Sequence, residues 1–113
     1  MFGKAANGSQ PFDVIAVKRK DGETFVWMVD SKWVNDEKAS FTVGRVEANQ
    51  LSSMEYAIRF ANVDERRVGF VLLFERDIDN PRFLSFTTLE DEMGRGRKSF
   101  NFHDLPEIIP LID

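Results

Sequence analysis

Cysteine is absent from this sequence of 113 residues. Without thiols the chain has no disulfide, no thiolate metal ligand and no cysteine nucleophile, so its fold depends on packing alone. Histidine occurs once, at His103, which excludes sites that need several imidazole ligands. Long apolar runs are also missing, and residues 1–10 lack the apolar core of a signal peptide. We therefore predict a cytoplasmic chain with no membrane segment.

Signatures of enzymes are scarce as well. The GRGR run at 94–97 lacks the Lys-Ser/Thr pair that a phosphate-binding loop requires. Carboxylates such as Asp77 and Asp79 fall in predicted turns, where we expect them to be solvated rather than to converge in a dry cleft. The sequence therefore predicts no catalytic residue, no metal site and no cofactor.

The chain is rich in apolar side chains, with 42% hydrophobic residues and eleven phenylalanines. A chain of this length is expected to form one core and to hide roughly two thirds of the surface that it exposes when unfolded. Residues 1–10 are small and polar. We predict a flexible leader there and a single domain over 11–113.

Apolar runs and turn signals predict six strands. The DGE sequence at 21–23 is typical of a hairpin turn, and the continuous apolar run at 66–76 is typical of a central strand that is buried on both faces. The predicted strands cover 12–20, 24–30, 40–47, 66–76, 82–90 and 98–102.

Residues 51–61 fit two patterns. Apolar residues alternate there as in a strand, yet several also share one helical face, and Ser52 with Glu55 matches a capping box. We favour the helix. A second, short helix is predicted at the C-terminus, with its inner face formed by Leu105, Ile108, Ile109 and Ile112.

These elements predict an α+β fold dominated by an antiparallel sheet and built from two tandem strand-strand-strand-helix (βββα) units, over 12–62 and 66–113. An offset of 56 residues aligns DVIAVKRK with GFVLLFER, which suggests an internal repeat. If residues 51–61 are a strand, the alternative is an all-β roll or barrel of about seven strands with one C-terminal helix.

The basic residues form three clusters within a chain whose formal net charge is −4. That net charge argues against a protein that holds duplex nucleic acid by bulk electrostatics, although local clusters can still bind phosphates. The clusters are Lys18–Arg19–Lys20, Arg66–Arg67, and Arg95 with Arg97 and Lys98.

The segment at 90–102, EDEMGRGRKSFNF, sets three cations and two glycines before a strand with alternating aromatic residues. Arginine and lysine suit phosphate groups, amides of a glycine-rich turn add donors, and aromatic faces stack on unpaired bases. Trp27 and Trp33 are the better candidates for stacking, because one lies on a strand and the other in a polar segment.

At this segment, residues 82–113 resemble the single-stranded-DNA-binding transcription coactivators of the positive-cofactor-four type. The tandem units resemble Pur-alpha repeats more loosely. The first resemblance implies a curved antiparallel sheet, phosphate contacts from Arg95, Arg97 and Lys98, and a homodimer formed through the C-terminal helix. Pro110 in that short helix and the acidic net charge depart from the family pattern.

The sequence thus predicts a non-enzymatic accessory protein that binds single-stranded DNA or RNA. The alternative is a protein-binding inhibitor or adaptor of a partner enzyme, which would act through exposed edge strands or loops. Basic clusters that merge on one face would favour nucleic acid, and scattered clusters would favour a protein partner. The predicted nucleic-acid contacts are Lys18, Arg19, Lys20, Trp27, Trp33, Arg95, Arg97 and Lys98.

Overall fold

The computed structural model of the protein describes residues 13–18, 21–35 and 40–112, the first of these ranges by its backbone only. In the described part of the chain, six strands and three α-helices alternate with short 3₁₀ turns. The strands are β1 (Asp13–Lys18), β2 (Thr24–Val34), β3 (Ser40–Thr42), β4 (Val68–Phe74), β5 (Arg82–Ser85) and β6 (Ser99–Asn101). The helices are α1 (Ala48–Phe60), α2 (Phe86–Gly94) and α3 (Ile108–Ile112).

The main sheet has four strands in the order β1-β2-β4-β5. The predicted hairpin of β1 and β2 is confirmed, because the two strands pair antiparallel. In the turn between them Gly22 has a φ of +85°, and the carboxylate of Asp21 accepts a 3.0 Å hydrogen bond from the backbone N–H of Glu23. Glycine adopts this left-handed conformation without the strain that a side chain would add.

The centre of the sheet is a parallel pair, β2 and β4, in a register that runs from Met28 opposite Val68 to Val34 opposite Phe74. The predicted antiparallel sheet therefore contains one parallel pair. Parallel neighbours cannot be joined by a tight turn, so β3 and α1 lie in the crossover between them. Since β5 pairs antiparallel with the other side of β4, β4 occupies the central position that the sequence predicts.

The α+β class is confirmed, and the barrel alternative is wrong. Residues 51–60 lie inside α1. The main sheet, as far as the structure describes it, is open, because its two edge strands, β1 and β5, do not pair with each other. The helix begins earlier than predicted. The amide side chain of Gln50 accepts from the backbone N–H of Glu47 at 3.2 Å and donates to Asp30 of β2 at 2.9 Å. This side chain, rather than Ser52 with Glu55, fixes the first turn.

The predicted strand at 82–90 is wrong in its second half, where α2 begins at Phe86. The hydroxyl of Ser85 accepts a 3.1 Å hydrogen bond from the backbone N–H of Thr88 and caps the helix. Phe86 and Leu89 are buried at helical spacing. The helical share of the fold is therefore larger than predicted, and the second unit departs from the strand-strand-strand-helix order.

The short strands β3 and β6 form a separate antiparallel ribbon, in which Phe41 lies opposite Phe100. A 3₁₀ turn follows each strand, over Val43–Arg45 and over Phe102–Asp104. The ribbon therefore joins corresponding elements from the two predicted units.

The core lies on both sides of the main sheet. The larger part fills the space between one face of the sheet and α1, α2 and the β3–β6 ribbon, and it contains Val34, Phe41, Met54, Phe70, Leu72, Phe74, Leu84, Leu89 and Phe100. A smaller cluster on the opposite face includes α3 and contains Trp27, Val29, Phe83 and Ile108.

Gly69 in β4 allows a close approach to β5. A Cβ atom built at this position would collide with the backbone carbonyl oxygen of Leu84 and would lie 2.7 Å from the Cα of Ser85. We expect Gly69→Ala to destabilise the fold by roughly 1–3 kcal/mol, as overpacking does in tightly packed cores. Chemical denaturation followed by circular dichroism measures this change in the free energy of unfolding.

Gly94→Ala is the matched control, because nothing lies within 4 Å of a Cβ at that position in the last turn of α2. Alanine there is expected to keep or slightly raise the stability, since it favours the helix by up to about 1 kcal/mol. Equal effects of the two substitutions would contradict the close packing of β4 on β5.

Candidate functional site

The glycine-containing loop after α2 is the C-terminal cap of that helix. Gly96 has a φ of +87°, its N–H donates to the carbonyl of Met93, and the N–H of Arg97 donates to the carbonyl of Glu92, both at 3.0 Å. This pattern of hydrogen bonds is a Schellman motif. The amides that the sequence suggests as phosphate donors are therefore already used within the cap.

The side chains of Arg95 and Arg97 are also engaged. Arg95 lies 3.4 Å from the carboxylate of Asp91, whereas Arg97 lies 2.6 Å from Asp104 and donates through Nε to the carbonyl of Ser99 at 2.8 Å. Cations at the C-terminal end of a helix also offset its dipole. These contacts give both arginines a structural role.

Two of the three basic clusters, Arg66–Arg67 and the one that contains Arg97, lie apart in the described structure. Residues 66–67 directly precede Val68, the first residue of β4. Arg97 instead contacts Asp104 in the turn after β6. In the same turn, the ring of Phe102 lies 5.9 Å from the ring of Phe74, which is at the other end of β4. A strand of seven residues is about 20 Å long. Two of the predicted clusters are therefore separated by the length of the central strand.

The backbone of Lys18 lies at the same end of the sheet as Arg67. Lys18 pairs with Thr24 of β2, the residue before Phe25. The guanidinium of Arg67 lies 4.1 Å from the centre of the Phe25 ring. Arg19 and Lys20 lie outside the described residues.

The two tryptophans differ in exposure. Trp27 is only 5% exposed, and its ring packs edge-on against Phe83 at 5.3 Å. The indole of Trp27 therefore belongs to the core, which argues against its predicted stacking on bases. Trp33 is 47% exposed and can offer an aromatic face.

Trp33 is in contact with one cation, Arg45, whose turn is bonded to the backbone of a second cationic residue, Lys98. The guanidinium of Arg45 donates a 2.6 Å hydrogen bond to the carbonyl oxygen of Trp33. The turn that contains Arg45 begins at Val43, whose N–H donates to the carbonyl of Lys98 at 2.9 Å. Both cationic residues are exposed. The structure thus places Arg45, which sequence patterns do not single out, in contact with Trp33, and the turn that contains Arg45 is bonded to the backbone of Lys98.

A second candidate surface lies on the outer side of α1. Tyr56 is 63% exposed and Phe60 is 72% exposed, and their ring centres are 5.1 Å apart. The sequence signal for this pair is the four-residue spacing of two aromatic residues beside the buried positions Met54 and Ala57. We call this surface the Tyr56–Phe60 face.

A shallow, mostly apolar depression of about 410 Å³ adjoins the Tyr56–Phe60 face. On the same side of β2, Val26 lies two residues before Met28 and is also exposed. The apolar surface therefore extends from the helix towards the sheet. The depression is lined by Met28, Ser52, Ser53, Tyr56, Ala57 and Ala61.

The charged neighbours of this face balance each other. Glu55 and Arg59 lie one turn apart on α1, with 3.0 Å between Oε1 and Nε. The outer side of α1 therefore combines an aromatic pair with one negative and one positive charge.

Within residues 21–35 and 40–112, no group of three or more His, Asp or Glu side chains is arranged to hold a metal ion. The described helices also include none with the length and apolar character needed to cross a membrane.

Comparisons with protein families, with curated protein sequences and with solved structures find no match for this chain.

The carboxylate of Asp64 organises the Arg66–Arg67 cluster. It caps the 3₁₀ turn by accepting from the backbone N–H of Arg66 at 2.9 Å, and it lies 2.7 Å from the guanidinium of Arg66 and 3.0 Å from that of Arg67. The pKa of Asp64 lies far below its usual range. The largest cause is the hydrogen bond that the Arg66 side chain donates to the carboxylate, and the second is the bond from the Arg66 backbone N–H.

We expect Asp64→Asn to lower the melting temperature at pH 7 by a few degrees. A carboxylate whose pKa is depressed in the folded state stabilises the fold above its unfolded pKa of about 3.9, and this contribution is lost as the pH falls further. The difference between wild type and variant should therefore shrink below about pH 4. Thermal unfolding at pH 7, 4 and 2.5 measures it. Asp91→Asn, in an exposed ion pair, is the control. A difference that does not depend on pH would contradict the role of the charge.

Proposed function

We propose that the protein is a protein-binding module of the adaptor or inhibitor class and that the Tyr56–Phe60 face is its contact surface. The observation that carries this proposal is the exposure of two adjacent aromatic side chains on one helix, at 63% and 72%. Exposed apolar patches rimmed by polar groups mark interaction surfaces. Tyrosine and phenylalanine are also enriched at the cores of protein interfaces.

The arrangement of the rings suits an interface anchor. Aromatic side chains bury about 150–250 Å² each, so two of them supply a substantial share of the apolar area of a small interface. Tyr56 and Phe60 are held in mutual contact by their spacing on α1. Anchors that are already ordered before binding lose less conformational entropy on association.

The depression beside the anchor can accept a side chain from a partner. Met28 of β2 lines the depression beside α1. The methionine side chain adapts its shape to irregular apolar partners. Ser52 and Ser53 at the rim offer hydroxyl groups. This combination of an apolar centre and a polar edge is typical of protein interfaces.

Substitution of the anchor tests the proposal. We expect Phe60→Ser to abolish the capture of a stoichiometric protein partner from an extract of the cells that make this protein, because truncation of a central aromatic anchor costs 2 kcal/mol or more, or roughly thirtyfold in affinity. Quantitative mass spectrometry of the captured proteins gives the measurement.

Ile78→Ser is the matched control, because Ile78 is another exposed apolar residue, outside α1. It should retain the partner. A partner that binds the wild type and the Phe60 variant equally, or the absence of any stoichiometric partner, would overturn the proposed function.

A second candidate function is the predicted binding of single-stranded nucleic acid. The observation that favours it is the contact of Trp33 with Arg45, whose turn is bonded to the backbone of the exposed residue Lys98. An exposed indole beside a cation suits one stacked base and a flanking phosphate. This site is smaller than the one that the sequence predicts, because Trp27 is buried and both Arg95 and Arg97 are ion-paired.

Fluorescence anisotropy with labelled oligonucleotides at low salt measures this second function. We expect Trp33→Ala to weaken binding by about 1–3 kcal/mol through the loss of stacking. Lys98→Ala should reduce the dependence of log K on log salt by about 0.7, the value for one phosphate contact on a single strand. Arg95→Ala, at an ion-paired residue, is the control. No anisotropy change at micromolar protein would exclude nucleic acid.

A further inference from the structure

Four side chains form a stripe along the outer side of α1. Glu55 and Arg59 make one pair with a spacing of four residues, and Tyr56 and Phe60 make the other. Positions 55, 56, 59 and 60 share one arc of the helix, and the buried positions Met54 and Ala57 lie on the opposite side. The midpoints of the two pairs are only one residue apart along the helix.

This arrangement is self-complementary. A two-fold axis that runs beside α1, perpendicular to it and level with residues 57 and 58, would place a second, antiparallel α1 against the first. Glu55 would then face Arg59 of the second copy, and Tyr56 would face its Phe60. Symmetric interfaces of this kind require that a surface match itself under rotation. One axis satisfies both the charged and the aromatic pair.

We infer that the Tyr56–Phe60 face binds a second copy of this chain. The inference rests on the proposed function and names the occupant of the same surface. Charge supports this occupant over a strongly basic or acidic partner, because the stripe carries one charge of each sign on a chain of formal net charge −4.

Two charge-reversal variants provide the test. In Glu55→Arg the stripe carries two positive charges, and in Arg59→Glu it carries two negative charges. In a dimer of either variant alone, like charges would therefore face each other across the axis. An equimolar mixture opposes unlike charges at both positions. We expect each variant alone to dimerise about tenfold more weakly than the wild type, and the mixture to form a heterodimer, because like charges across an interface are unfavourable.

Sedimentation velocity from about 1 µM to about 1 mM covers the range of affinity that is expected for a small interface. Phe60→Ser should be monomeric throughout this range. Asp91→Arg and Arg95→Asp form the matched control, because they reverse an exposed ion pair of the same spacing on α2, and mixing them should have no effect. Circular dichroism checks that each variant is folded.

A wild-type chain that remains monomeric, or a mixture of the α1 variants that associates no better than either variant alone, would overturn the inference. The proposed function has a separate outcome. If the chain is monomeric while Phe60→Ser still abolishes partner capture, the face binds a different protein and only the self-association is wrong. If Phe60→Ser changes neither mass nor capture, both proposals fail.

Discussion

The parallel pairing of β2 with β4 is the constraint on which the rest of the structure depends. Two parallel neighbours need a long connection, and in this chain the connection contains β3 and α1. Because Gln50 ties the start of α1 to Asp30 of β2, the helix lies against the sheet with Met54 and Ala57 inward. The aromatic pair is then left on the outer side. The exposed face follows directly from the crossover.

The basic loop after α2 shows how a motif can be explained by local structure. Its glycine supplies the left-handed residue that ends the helix, and its arginines satisfy carboxylates and carbonyls around the cap. A phosphate ligand would have to compete with these contacts. Lys98 has a different environment, because its side chain is exposed and its backbone is held against the turn that contains Arg45. Among the described residues, Lys98 and the indole of Trp33 are the predicted contacts that these local interactions leave exposed.

Much of the fold can be predicted from the sequence, because apolar periodicity and turn residues act locally. The β1–β2 hairpin, the central position of β4 and the helical state of residues 51–60 follow from such signals. Helix α2 does not, since the sequence LSFT at 84–87 alternates apolar and polar residues as a strand would. Only the Ser85 cap and the burial of Leu89 favour the helix. The burial of Trp27 and the exposure of Phe60 depend on which faces other elements cover, and no local pattern contains that information.

The β3–β6 ribbon has a consequence for how the chain acquires its structure. Phe41 and Phe100 pair across about half the chain length, and both are buried in the main core. Such distant contacts can form only after a large loop has closed, and proteins that depend on them fold more slowly than those built from neighbouring residues. A ribosome must therefore release the chain at least as far as β6 before the core can close. Until then, Phe41 and the apolar strand β2 are exposed and can associate with other unfolded or partly folded chains.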